Sequence, residues 1–423
     1  MSSSIPGYAL NDSGTLHVPI GESSALSYSY SSGGSFSECP DGQWIVESLE
    51  HGLAIDLLIP HSQRIMLGIV APLMAIVGLI LNAAFFFVLL RVPDMQTTTN
   101  FYLANLAVAD CLFLVFSTAI NMWQAVNMPI TGAHPFQTDY GCGLFFWMNY
   151  LYYFASISFV TLVTLDRYMA VCHAIRYRNS RTKIRTMVLT LSAWGVACLF
   201  AAGLLPNVLQ LETHCYRWPD DDNFFDGFAT IVNYCTPLDQ ALDLHWDFPS
   251  FVMVMQILPF IIAMVTSIYF YTKIISTLSK SSSHRKQSST LNKKHQQRRN
   301  QIAFMLLVMA SCFFICECPF LVSSIFHTYV HQSGKGLSHD QKVILTIITR
   351  IFLYLNSSIN PIIYNALSPT YRRAFATAFN MGSFMRRRDR PSSYRVSSTK
   401  VSMLGGTSMS DKGINEKQIV SDV

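Results

Sequence analysis

Two acids stand in stretches that are otherwise apolar. Asp110 lies in the run Asn105-Leu-Ala-Val-Ala-Asp110, and Glu317 lies in Phe313-Phe-Ile-Cys316-Glu317-Cys318-Pro319. A third internal charge, Arg350, precedes Tyr354, Ser357 and Pro361 at steps of four, three and four, so these residues share one helix face. Isolated charges in apolar helices bind ions, pair with one another or meet a ligand, because an uncompensated charge there is costly. A fourth group, Asp166-Arg167-Tyr168, closes an apolar run, as does Asn360-Pro361-Ile-Ile-Tyr364. No Ser/His/Asp set, metal-ligand spacing or nucleotide-binding loop is placed for catalysis, so the chain reads as a non-enzyme. Ten Cys are present without paired CxxC spacing, which argues against a structural metal.

The elements that position these groups are membrane helices. Of 423 residues, 51% are hydrophobic and only 13% charged, about half the charged share of a soluble domain. No Asp, Glu, Lys or Arg lies between Arg64 and Arg91, Asp110 and Asp139, Asp139 and Asp166, Arg185 and Glu212, or Asp247 and Lys273. Each gap is long enough to cross about 30 Å of hydrocarbon. Asp110 belongs to a longer run starting near Asn100, and two further runs, Arg299–Val330 and Gln341–Leu367, carry Glu317 and Arg350. The total is seven. A chain in lipid must satisfy its backbone internally, so an all-α seven-transmembrane bundle is the predicted fold. Pro72, Pro206, Pro259, Pro319 and Pro361 are read as lying inside spans, where a packed bundle tolerates them.

Loop charge gives orientation. Residues 1–63 hold seven acids and no Lys or Arg, and loop 207–247 holds eight acids and one base. Residues 172–185 hold five bases and no acid, and 273–300 hold eight bases and no acid. The positive-inside rule places the N-terminus outside and the C-terminus in the cytoplasm. The predicted organisation is an extracellular, disordered tail over 1–63, the bundle over 64–367, a short amphipathic cytoplasmic helix over 368–380, and a disordered cytoplasmic tail over 381–423. Asn11-Asp-Ser13 is a glycosylation acceptor on the outer side.

Taken in order, Asn82, Asn105 to Asp110, Cys142, Asp166-Arg167-Tyr168, Trp194, Pro259 and Asn360-Pro361-Ile-Ile-Tyr364 resemble the rhodopsin-like G protein-coupled receptors over about residues 64–380. The resemblance implies a plasma-membrane receptor whose Asp166, Arg167, Tyr168, Asn360, Pro361 and Tyr364 serve coupling and activation. It implies heterotrimeric G protein, arrestin and receptor kinase as partners, with Ser/Thr from Ser392 to Ser410 as phosphorylation sites, and no nucleic acid. It implies a Cys142–Cys235 disulfide, with Cys215 the alternative partner and Cys39–Cys215 a possible second bridge. Asp110 matches the family's sodium-binding aspartate, with Ser156, Asn356, Ser357 and Asn360 as companions; a polar network without an ion is the other reading. No further cofactor or metal is implied.

Two departures stand out. Where some members brace the motif arginine with an acid at the base of the sixth span, this chain has Arg299, so its resting state must be held otherwise. Where the family has Trp in the sixth span, this chain has Glu317. Three roles stay open for it: a protonated acid in a hydrogen-bond network, a partner for a ligand cation, or a partner for Arg350 or sodium. The implied ligand pocket includes Asn149, Tyr153, Glu317, Arg350 and Tyr354. Asn149 stands where amine receptors have Asp, and Tyr354 where opsins have the retinal Lys, so neither ligand fits. Thr97 to Leu103 and Tyr354 to Asn365 resemble the ghrelin, motilin, thyroliberin and neuromedin receptors, and the acidic loop suits a basic peptide. A neuropeptide receptor is the reading; a receptor for a lipid or other small molecule, or a transporter, is the alternative. Epitope tags on the two termini of the expressed chain are expected on opposite faces of the membrane, the N-terminal tag stained on intact cells and the C-terminal tag only after permeabilisation.

Overall fold

The computed structural model describes short segments at 9–10, 15–18 and 26–29, then residues 45–49, 51–127, 130–180, 182–218, 231–236, 248–283, 290–333 and 337–380. Asn11, Cys39 and the Ser/Thr-rich tail lie outside these residues. One compact unit ends at Asn380.

Seven helices are long and apolar enough to span a membrane. The first span is His61–Arg91, the second Thr98–Asn127, the third Asp139–Cys172 and the fourth Lys183–Gly203. The fifth lies in helix Phe248–Ser283, the sixth in Thr290–Ser333 and the seventh is His339–Leu367. Side chains at the helix starts meet the free backbone donors. Thr138 accepts from Gly141 N–H, Thr182 from Arg185 N–H, and Ser338 and Gln341 cap each other reciprocally.

Proline acts as its chemistry dictates. Pro72 offers no N–H, and the turn before it widens: Met66–Val70 is π-helical, with Ala71 N–H reaching the Met66 carbonyl. Pro259, Pro319 and Pro361 lie inside helices. Pro206 does not. The fourth span stops at Gly203, and Pro206 belongs to a 3-10 turn at Leu205–Asn207, where a missing donor costs nothing.

The third span is the axis of the bundle: 56% of its apolar window is buried, against 22% for the fourth. Leu73, Ile76, Ile80, Leu90 and Leu199 are exposed, as lipid-facing positions must be. The interior packs around Phe85, Leu103, Leu106, Phe159, Val160, Met305, Met309 and Tyr364. Gly78 sets the approach of three helices. A Cβ there would run into the Ser358 hydroxyl and come within 2.7 Å of Leu114 Cδ1. The amphipathic helix is Pro369–Ala378, inside the predicted 368–380, with Tyr371, Ala374 and Ala378 buried. Arg372 donates to the Asn365 and Ala366 carbonyls at the end of the seventh span.

A six-stranded sheet is an addition to the all-helical expectation. Its order is β1 (Ala9–Leu10), β2 (Thr15–Val18), β3 (Leu26–Ser29), β4 (Ile45–Ser48), β5 (Gln210–Arg217), β6 (Ile231–Thr236). The β5–β6 pair is an antiparallel hairpin, and β4 runs parallel to β5. Strands and the helix His51–Leu57 thus occupy parts of a tail read as disordered from its Ser, Gly and Tyr content. That reading weighed composition and overlooked short alternating runs such as Thr15-Leu-His-Val18, which pair once a hairpin edge is near. We expect Gly78→Ala to cost about 1–3 kcal/mol through overpacking, read as a lower unfolding midpoint of the purified protein, with Gly195→Ala, where nothing lies within 4 Å, as the unaffected control.

Candidate functional site

At one end of the bundle, Asp166 and Arg167 are adjacent in the last turns of the third span. Their direct contact is long, 4.0 Å from Arg167 Nε to Asp166 Oδ2. The close link runs through Thr99 at the start of the second span. Its hydroxyl donates to Asp166 Oδ2 at 2.5 Å and accepts from Arg167 Nη2. Tyr177 of the short helix Ala174–Ser180 donates to Asp166 Oδ1 at 2.9 Å. Both carboxylate oxygens are engaged, and the guanidinium is turned toward the second span. Thr99 and Tyr177 were missed in the sequence because hydroxyl residues near helix ends carry no distinctive spacing. Tyr168 faces away, stacked on Phe270 of the fifth span at 4.6 Å. Tyr364 is buried, packed 5.3 Å from both Phe85 and Tyr371, with its hydroxyl toward Met309 Sδ at 3.5 Å.

Midway up the bundle is a polar layer. Asn360 Nδ2 donates to Asp110 Oδ2 at 2.9 Å, and one turn higher Asn356 Nδ2 donates to Glu317 Oε1 at 2.9 Å. The second, sixth and seventh spans are thereby linked. Asn82 of the first span donates to the Ser357 carbonyl at 2.9 Å. Asp110, Ser156, Glu317, Asn356, Ser357 and Asn360 are all buried. Within the described residues no group of three or more His, Cys, Asp or Glu is placed to hold a metal ion.

Toward the opposite end of the bundle, the residues expected to meet a ligand separate into two levels. Tyr153 is buried and donates to the Gln256 carbonyl of the fifth span at 3.0 Å. Tyr354 is fully buried, its hydroxyl held by Asn121 and Thr118 of the second span, each at 3.1 Å. Glu317 sits deeper, on Asn356. Each of these three makes a bond to a neighbouring helix. Asn149 and Arg350 are only partly buried. Asn149 donates to its own helix at Phe145 O, 2.8 Å away.

The Arg350 charge acts on His134 of the loop between the second and third spans. His134 sits among Phe136, Phe145 and Phe146, with ring centroids 5.6–5.9 Å away. Its backbone N–H donates to the Asn233 carbonyl of β6, and Asn233 Nδ2 donates back to Phe136 O. Cys142 and Cys235 are bridged, Cα atoms 5.7 Å apart, which fixes β6 to the top of the third span. Cys215 is also disulfide-bonded. Burial, and secondarily the Arg350 charge, holds the His134 imidazole down at about 4, so it is neutral.

A family model described as "7 transmembrane receptor (rhodopsin family)" matches residues 81–364. Neuromedin-U receptor 2 of Homo sapiens is 28% identical over 303 residues, 71% of this chain and 68% of the relative. Somatostatin receptor type 4 of Rattus norvegicus is 28% identical over 310 residues, covering 72% and 70%. The thyrotropin-releasing hormone receptor of Gallus gallus is 27% identical over 333 residues, covering 75% and 79%.

The neutral His134 generates a pH prediction. Its folded value lies below the ordinary 6.5, so the unfolded chain binds the extra proton between those limits. Stability is complete above about 6.5 and falls as pH drops toward about 4. His134→Phe, which keeps the aromatic packing, is expected to flatten this slope when unfolding midpoints of wild type and variant are compared across that window; parallel slopes would remove His134 from the argument.

Proposed function

Because the chain belongs to the rhodopsin family of seven-transmembrane receptors, we propose that it is a plasma-membrane receptor for an extracellular neuropeptide. Binding at its outer face drives nucleotide exchange on a heterotrimeric G protein at its inner face. The relatives named for neuromedin U, somatostatin and thyrotropin-releasing hormone support the peptide class. So does the outer architecture: a disulfide-anchored hairpin stands above partly open Asn149 and Arg350. The peptide engages this upper level first. Tyr153, Tyr354 and Glu317 respond as the floor beneath it, where a ligand reaches them only by separating helices. The N-terminus is extracellular, and the phosphorylated tail recruits arrestin after a receptor kinase has acted.

The observation that carries this reading is the Thr99-bridged pair at the inner end. A cation tied to a buried acid through a hydroxyl is a two-state element. In one state the guanidinium is occupied; in the other it faces the G protein. With Arg299 in place of an acid at the base of the sixth span, Thr99 and Tyr177 supply the restraint from the second span and the intracellular turn. Activation swings the sixth helix outward and frees Arg167. The polar layer around Asp110, with Ser156, Asn356, Ser357 and Asn360, is a cation-binding element that favours the resting packing; the family resemblance makes sodium the reference ion.

Arg167→Ala is expected to abolish G protein activation while surface expression persists. Thr99→Val, which keeps the shape and removes the bridge, is expected to raise ligand-independent exchange severalfold, since a charge-assisted bond is worth about 1.5–3 kcal/mol. Calcium and cyclic-AMP assays of the expressed receptor against a peptide library, with surface labelling in parallel, measure both. Normal signalling by Arg167→Ala overturns the coupling role.

A further inference from the structure

The six-stranded sheet contains one seam of a different kind. β1, β2, β3 and β4 pair antiparallel in chain order, and β5 and β6 form an antiparallel hairpin. Among the described strands, β4 and β5 alone run parallel. Within the sheet, the whole tail meander joins the hairpin along this line. The two sides are held differently. β6 matches β5 over six residue pairs and is tied to the third span by the Cys142–Cys235 bridge. Cys215 of β5 is disulfide-bonded as well. β4 meets β5 over four pairs, from Ile45 with His214 to Ser48 with Arg217, and Leu49 N–H donates to the Arg217 carbonyl at 3.1 Å. Parallel pairing is slightly weaker per residue than antiparallel. β5 is therefore a fixed template, and β4 is the strand that can leave it.

The chain after β4 keeps that strand close. Ala54, Leu57 and Leu58 pack with Ile130, Ala133 and Val232 in a small core of their own, and Thr131 N–H donates to the Leu57 carbonyl at 2.9 Å. A strand tethered in this way competes for its edge at an effective concentration of about a millimolar. β5 also offers more edge than β4 uses. It spans Gln210–Arg217, and among the described residues β4 pairs with His214–Arg217. The other half carries Glu212, and the Asp139 carboxylate reaches the same half, accepting from Leu211 N–H at 2.8 Å. A strand edge recognises an extended chain through its backbone and selects side chains at alternate positions. In the β4 register, the residue two places ahead of Ile45 meets Glu212.

We propose that the β5 edge is a docking site for an extended peptide, which enters as a strand parallel to β5, displaces β4, and sets a basic residue beside Glu212 and an apolar one beside His214. This deepens the peptide-receptor reading and rests on it: β4 is the resting occupant of the edge that the ligand takes.

The test uses the full-length receptor in nanodiscs and two fluorescent synthetic probes read by anisotropy, the tail's own segment Gln43–Glu50 and its Gln43→Lys form. Glu47 lies two residues before Leu49, so its N–H points to the same edge, and Glu47→Pro in the receptor removes that donor and releases β4. Both probes are expected to bind this variant saturably and the wild type about tenfold or more weakly, because the tethered strand competes. The Lys form is expected to bind the more tightly, with the advantage lost at high salt. In the wild type alone, amide hydrogen exchange is expected to be about tenfold faster over 45–49 than over 231–236. If neither probe binds the variant, or if both receptors bind them equally, strand displacement at β5 is wrong. Equal affinity of the two probes removes the basic residue from the ligand. If 45–49 exchange as slowly as 231–236, β4 does not leave and the proposal fails; this comparison decides alone should Glu47→Pro not fold. Peptide-driven nucleotide exchange on the G protein is measured separately, so the receptor reading survives each of these failures.

Discussion

Charge inside a lipid-bounded bundle must be compensated by the bundle itself, and this constraint organises the structure. Water is scarce there, so every buried polar atom needs a partner from another helix or from an ion. Asp166 takes hydroxyl donors from Thr99 and Tyr177. Asp110 takes the amide of Asn360, and Glu317 that of Asn356. Each of these bonds joins different parts of the chain. The polar interior is therefore the set of links between helices, while the apolar surface supplies insertion into the membrane. Neutral helix–helix hydrogen bonds in membranes are individually modest, about 0.6 kcal/mol on average, while those to a charged group reach about 1.5–3 kcal/mol; single bonds of either kind can be exchanged without unfolding the bundle.

The third span shows how these links are distributed. From top to bottom it meets the fifth through Tyr153 and the Gln256 carbonyl, through Thr164 and Tyr271, and through Cys172 and Thr277. Gln256 extends the upper link to Ser324 of the sixth span at 2.8 Å. Trp194 of the fourth span donates to Asn105 of the second and packs edge-on against Phe159 of the third. The third and fifth spans are thus held at three heights. The sixth is tied to the fifth through Ser324 and to the seventh through Glu317 and the Pro319 carbonyl.

Much of this was legible in the sequence, and for a physical reason. The seven spans follow from charge-free gaps, because hydrocarbon thickness sets helix length without reference to tertiary contacts. Asp110, Glu317 and Arg350 drew attention because a charge in such a run is costly, and Arg167 because Asp166-Arg167-Tyr168 at a helix end resembles the family's motif. What sequence could not supply is which small polar group answers each charge. Thr99 is one of three consecutive threonines, Thr97-Thr98-Thr99, and only the helix rotation selects it. Tyr153 and Tyr354 were read as ligand-binding residues; spacing gives the face of a helix and not the partner of a hydroxyl, and both phenols bond neighbouring helices. Pro206 was read as intrahelical because hydropathy continues past the point where the helix ends. His134 escaped notice because a loop histidine becomes distinctive only when β6 and a phenylalanine cluster close around it.

The replacement of an aromatic side chain by Glu317 changes how the outer and inner ends can communicate. The seventh span holds the sixth at three levels: Thr349 against the Pro319 carbonyl at 3.3 Å, Asn356 on Glu317, and Tyr364 toward Met309. Glu317 and Met309 are eight residues apart, so about 12 Å separates them along the helix. A bulky aromatic ring transmits motion by sliding against its neighbours, which requires free volume. A carboxylate fixed by an amide transmits by keeping or losing a directional bond, which requires an alternative partner. Rotation of the sixth span that pulls Glu317 from Asn356 would leave a buried carboxyl group without its amide partner. The loss of that bond is part of the cost of turning the sixth span.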